Sequence, residues 1–306
     1  MGIDPVADRT GAYLVRGPLP IAMAAVLWGT TGTAATFAPP AASGVSIGAA
    51  TMGGGGLVLL AVAGRSALAV LRSGRSSVLV VALGAAAIAV YPLAFYSSMA
   101  MAGVAIGTVV SIGSSPMFAA LFEWAVDQVR LDQRWAVATV VSAAGGVLLV
   151  LGGDKPDGVA ATAKMPGVLL GLVAGSTYAG YSFAARKLIQ TGQRSRAVMG
   201  ALFGLGSVVL LPVLAVTGRG LLCSTPGLLV AGYLALVPMS MAYLLFGTAL
   251  RYVGATAATT LSLIEPAIAA VLSVLVVGER LSALAWTGIG LVATGLLILV
   301  ARRGNP

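Results

Sequence analysis

Apolar runs of close to membrane-spanning length recur along this 306-residue chain, separated by short polar stretches. A bilayer core about 30 Å thick is crossed by roughly 20 residues of helix. Ten runs approach that length. In the first half they are Leu19–Ala38, Val45–Ala63, Ser77–Met99, Val104–Trp124 and Trp135–Leu151. In the second half they are Pro166–Ala185, Ala197–Val216, Gly227–Ala249, Gly254–Val277 and Leu284–Ala301. None alternates with period two over about ten residues, as a transmembrane barrel strand does. The pattern predicts an all-α membrane protein with ten transmembrane helices. The first run is too long for a cleavable signal peptide and reads as an anchor helix.

The polar stretches orient these helices. With both termini cytoplasmic, Lys155, Lys164, Arg219 and Arg280 fall outside, and the other fourteen of the 18 basic residues fall inside. Positive charge accumulates on the cytoplasmic side of membrane proteins. The expected location is therefore the cell inner membrane, multi-pass, with the loop from Asp154 to Lys164 outside.

The halves also echo each other at a constant offset of 150 residues. Trp28 aligns with Tyr178, Gly54 and Gly56 with Gly204 and Gly206, and Ser115-Pro116 with Glu265-Pro266. Arg130 aligns with Arg280, and Gly145 with Gly295. Residues 1–151 and 152–306 thus read as two repeats of five helices each. Five is odd, so the second repeat enters the membrane inverted, a common plan of secondary transporters.

Composition narrows the chemistry. The chain is 58% hydrophobic and 9% charged, against roughly 25% charged in soluble domains, so it needs lipid as solvent. The net charge of +9 sits in short clusters between apolar runs, which is a topology signal rather than a nucleic-acid groove. There is no histidine, and Cys223 is the single cysteine. That excludes imidazole catalysis, an intrachain disulfide and multi-cysteine metal sites. No Walker loop or hydrolase elbow occurs, and the glycines from Gly288 to Gly295 lie inside an apolar run rather than after a soluble strand. No cofactor, metal or enzyme activity is expected.

Glu265 lies eleven positions past Gly254, about 16 Å along a helix axis and so near the midplane. A charge there costs at least roughly 2.5 kcal/mol. Glu265 is either a proton- or amine-binding carboxyl or a structural acid. Pro116 and Pro266 sit mid-helix and free the carbonyls of Ile112 and Ser262, as hinges or as satisfied kinks. Trp28, Thr31, Tyr91, Tyr96, Ser111, Ser115, Tyr178 and Tyr243 put aromatic rings and hydroxyls on apolar helices. They form either a substrate cavity or interhelical contacts. The spacings Gly171 to Gly175 and Gly200 to Gly204 serve packing within the chain or a homodimer.

The stretch Leu261-Ser262-Leu263-Ile264-Glu265-Pro266, then Gly278-Glu279-Arg280-Leu281 and Gly288 to Leu299, resembles the closing part of an EamA-type repeat. Ser115-Pro116, Gly145-Gly146 and the opening Leu27-Trp28-Gly29 are similar to the same repeat more loosely. The resemblance is to the drug/metabolite transporter superfamily. It implies two inverted repeats around a cavity lined by the first, third, fourth, sixth, eighth and ninth helices. It also implies export of a small metabolite, such as an amino acid, by alternating access. Ser115 and Val129 stand where the second repeat has Glu265 and Glu279, so the acids carry over only to the second half. The rival reading is a non-transporting receptor or assembly protein on a transporter fold.

Overall fold

A computed structural model describes residues 14–102, 104–129, 132–151, 161–278 and 281–300. Arg130, most of the Asp154–Lys164 loop, the Glu279-Arg280 pair and both termini lie outside the described residues. Every described element is helical. The long helices are α1 (Pro18–Ala35), α2 (Gly44–Ala63), α3 (Arg75–Ala102), α4 (Val104–Asp127) and α5 (Gln133–Leu151). They continue as α6 (Ala161–Gln190), α7 (Ser195–Thr217), α8 (Thr225–Ala249), α9 (Ala255–Val276) and α10 (Ala283–Val300). Short helices Arg65–Leu71 and Arg219–Leu222 turn the chain after α2 and α7. Among the described residues, seven helices are long and apolar enough to cross a membrane: α2, α3, α4, α6, α7, α8 and α9.

Local chemistry sets the helix ends. Pro18 opens α1, where its missing N–H would be unpaired anyway. Ser43 and Ser224 cap α2 and α8 by accepting from Ser46 N at 3.1 Å and Gly227 N at 3.2 Å. Gly64, at φ +53°, ends α2 in a conformation that other residues enter at a steric cost.

The burial pattern is that of a protein dissolved in lipid. Leu57, Leu79, Leu83, Val208, Leu228 and Leu229 face outward. The interior holds small residues, serines, threonines and an aromatic cluster. Between helices in lipid the hydrophobic drive is weak, so association rests on close packing and hydrogen bonds. Glycine supplies the close packing. A Cβ on Gly56 of α2 would lie 2.2 Å from Ser207 Oγ and 2.4 Å from the Phe203 carbonyl of α7. Ser207 Oγ in turn donates to the Gly53 carbonyl at 2.8 Å. Gly200 and Gly204 of α7 lie against Leu59, Leu60 and Ala63 of α2, while Gly171 and Gly175 of α6 meet Val110, Ser111 and Ser114 of α4. Both GxxxG spacings are thus occupied within the chain.

The α5–α10 contact carries an internal signature. Gly145 meets Gly288 and Val292, and Gly295 meets Ala138 and Ser142. Each of these residues is the other set's counterpart at the 150-residue offset. Elsewhere α6 lies along α3 and α4, while α1 lies against α8 and α9. That is the same arrangement with the two halves exchanged.

Candidate functional site

Three helices lose regularity at one place. In α2 the backbone widens into a π turn over Ala50–Gly54, and in α8 over Ala235–Met241. The Ser240 hydroxyl ties the two together, donating to the carbonyls of Ala235 at 2.7 Å and Gly55 at 3.2 Å. In α9 the helix is interrupted between Leu261 and Ile264. Pro266 has no N–H to give Ser262, and the freed Ser262 carbonyl instead accepts the Glu265 N–H at 2.9 Å. Breaks of this kind are tolerated at membrane depth where they border a cavity or protein.

They border a cavity of about 80 Å³, room for a handful of water-sized groups at roughly 10–15 Å³ each. Trp28 and Thr31 of α1, Tyr91 and Tyr96 of α3, Tyr178 of α6, Tyr243 of α8 and Glu265 of α9 all line it. The structure therefore gathers seven of the residues singled out by sequence around one space. Phe95, Pro92, Pro238 and Met239 complete its walls together with Gly48, Thr51 and Met52 of α2.

Ser111 and Ser115 are not on this surface. Both are fully buried, and their hydroxyls donate to carbonyls of their own helix, Gly107 at 2.7 Å and Ile112 at 2.8 Å. The second bond satisfies the carbonyl that Pro116 frees, and α4 runs unbroken past Pro116. The two prolines thus differ: α4 continues with a side-chain donor, while α9 breaks. The expected lining also changes by one helix. Helix α4 packs on α6 through Ser111 and Ser114, and α2 takes its place at the cavity.

On the side toward Ala249 and Ala255 the cavity is sealed. Trp28 contacts the rings of Tyr243 at 5.0 Å, Phe246 at 5.4 Å and Tyr178 at 6.4 Å. Beneath them, Phe203 lies 4.5 Å from Tyr243. The hydroxyls of Tyr181 and Tyr243 share a hydrogen bond of 2.5 Å, and Tyr178 donates to Ser262 Oγ at 2.7 Å. Toward the opposite side, Thr31, Phe95 and Tyr96 are only partly buried.

Glu265 is partly buried and, among the described residues, its carboxyl has neither an ion-pair nor a hydrogen-bond partner. The described ion pairs lie at the sealed end instead. There Glu123, buried near the end of α4, accepts the Ala255 N–H at 2.6 Å and so caps α9. It also faces Arg186 of α6 at 3.7 Å, and Arg186 donates to the Val253 carbonyl. Lys187 pairs with Asp127 one turn further on. In the sequence Glu123 is marked only by its spacing of four from Asp127, because its partners are distant in the chain. Glu123→Ala should lower stability in detergent by about 1–3 kcal/mol, because a buried N–H and a guanidinium lose their acceptor. Glu123→Gln, which keeps an acceptor, should lose less. Equal melting of all three proteins would contradict this. Among the described residues no cluster of three His, Cys, Asp or Glu could hold a metal.

A model of the EamA-like transporter family matches the chain twice, at residues 15–151 and 165–301. This protein belongs to the EamA-like transporter family. It is a multi-pass membrane protein and a transporter by family. The uncharacterized transporter YwfM of Bacillus subtilis (strain 168) is 36% identical over 282 residues, covering 92% of each chain. An uncharacterized transporter of Clostridium kluyveri is 25% identical over 189 residues, 60% of each chain. A solved crystal structure shares the fold, with a TM-score of 0.75 at 20% identity over 91% of this chain and 94% of the other.

Proposed function

We propose that this member of the family is a secondary carrier that exports a small metabolite by alternating access. The observation that carries the reading is the Glu265 carboxyl, without an ion-pair or hydrogen-bond partner among the described residues, in a cavity framed by interrupted helices. Discontinuous helices at a central site are a recurring transporter device. A carboxyl held there without a cation is a place for a proton or a cationic group to bind and leave. The cargo fits a chamber of about 80 Å³, amino acids being among the classes that the family resemblance implies.

The architecture proposed is ten spans in two inverted repeats, residues 1–151 and 152–306. The reciprocal Gly145 and Gly295 contacts support it, as does the edge-on meeting of Trp28 with its counterpart Tyr178. The proposed location is the inner membrane with both termini cytoplasmic, after the distribution of basic residues. In that orientation the aromatic seal and the Glu123–Arg186 cap face the cytoplasm, and the cavity faces out. Ser111, Ser115 and Pro116 then have a scaffolding role in α4, while Glu265 and Pro266 mark the mobile helix.

Thiol labelling tests this reading. Native Cys223, exposed between α7 and α8, should react with a membrane-impermeant maleimide from outside only. Thr31→Cys in a Cys223→Ser background should react from outside in intact cells and from inside in inverted vesicles, as the cavity alternates. Reaction of Cys223 from the cytoplasm alone would overturn the orientation. Reaction of Thr31→Cys from one side alone would favour a non-transporting receptor.

A further inference from the structure

The charge and shape of the cavity name a cargo class, an inference that rests on the carrier reading and deepens it. Of the described residues that line the cavity, Glu265 supplies the one carboxyl and none is Lys or Arg. The described cations nearest in the fold to a carboxylate, Arg186 and Lys187, are engaged by Glu123 and Asp127 at the sealed end. Around Glu265 stand the rings of Trp28, Tyr91, Phe95, Tyr96, Tyr178 and Tyr243. They brace one another: Tyr91 stacks on Phe95 at 5.6 Å and tilts against Tyr178 at 5.9 Å, while Phe95 meets Tyr96 edge-on at 5.4 Å. Their orientation is therefore fixed before any ligand arrives.

We propose that the cavity binds small organic cations, ammonium or quaternary ammonium compounds, and discriminates against molecules that also carry a carboxylate. An aromatic box with one acid is suited to a compact cation, because ring faces are electrostatically negative and the carboxylate neutralises the charge. An amino acid brings a second requirement. Its carboxylate would be desolvated in the same space with no cation to meet it, and desolvating an unpaired charge is costly. Among the described residues of the lining, the indole N–H of Trp28 is the one fully buried donor without an acceptor. That N–H and the lining hydroxyls of Thr31, Tyr91 and Tyr96 are all neutral; they serve a hydroxyl or carbonyl oxygen, and they leave a carboxylate without a counter-charge. The inference thus separates amines from the amino acids of which they are the decarboxylated forms.

Three near-isosteric probes test the charge rule without interference from proton loss or from permeation of a neutral amine. Choline is a cation, glycine betaine a zwitterion, and 3,3-dimethylbutyrate an anion of similar shape. Binding to the purified full-length protein is measured by titration calorimetry at pH 7.5. Choline should bind roughly tenfold or more tightly than either of the others, as the sum of a charge pair and cation–π contacts predicts. The preference should vanish in Glu265→Gln and persist in Glu265→Asp. Should Glu265→Gln fail to fold, Tyr91→Leu serves instead and should weaken choline alone. Equal or tighter binding of betaine or dimethylbutyrate overturns the cation rule, and so does an absence of saturable choline binding. The carrier reading is judged separately, by flux. Choline that binds without crossing a reconstituted membrane removes the carrier and leaves the site. Betaine that crosses in preference to choline removes the site and leaves the carrier.

Discussion

Glu265→Gln should insert and fold like the wild-type protein and lose its pH-dependent flux. A carboxylate at the bilayer midplane is retained only where something offsets its desolvation. Here it faces a cavity, beside the helix break at Ser262. In the carrier reading, proton and cargo take turns at this group. Wild-type cargo affinity should then weaken as pH falls, because protonation removes the charge that holds the cation. Glutamine keeps the shape of the protonated acid and cannot release a proton, so the slope of flux against pH should flatten. Flux should also fall on the order of tenfold or more, the equivalent of losing about 1.4 kcal/mol at the binding step. Unchanged flux with an unchanged slope would reassign Glu265 to a structural role.

Gly56→Val should have the largest effect on folding of any single conservative change in α2. The Cβ alone would stand 2.4 Å from the Phe203 carbonyl, a backbone atom that moves only if α7 moves. Overpacking of this kind costs about 1–3 kcal/mol, occasionally more, and valine adds two methyl groups beyond the Cβ. Separating α2 from α7 also removes the Ser207 bond to the Gly53 carbonyl. The expected result is a marked loss of monodisperse protein and of melting temperature in detergent. Gly290→Ala is the control, since a Cβ there meets nothing within 4 Å. Similar melting of the two variants would contradict the close α2–α7 contact.

The all-helical, membrane-spanning character was legible in the sequence. Apolar run length marks the helices, and the placement of Lys and Arg proposes their order across the membrane. The cavity was legible through its aromatics: Trp28, Tyr91, Tyr96, Tyr178 and Tyr243 are large rings with polar tips on otherwise apolar helices, and all five line it. The serines were not distinguishable by pattern. A hydroxyl that lines a cavity and one that bonds its own helix have the same spacing, and Ser111 and Ser115 turned out to do the second. The part played by α2 was hidden for another reason. Thr51 and Met52 reach the cavity from a π turn, which shifts helical phase and leaves no trace in composition. Glu123 was missed because its partners, Arg186 and the Ala255 N–H, come from other helices and meet it only in the folded chain.

Flux through the wild-type protein tests the carrier most directly. Purified protein is reconstituted into liposomes that are loaded with choline and a pH-sensitive dye, then diluted into choline-free buffer. The account predicts saturable choline efflux above that of protein-free vesicles, with acidification of the lumen as protons enter in exchange. Efflux no faster than from protein-free vesicles, for choline, betaine and 3,3-dimethylbutyrate alike, would contradict it.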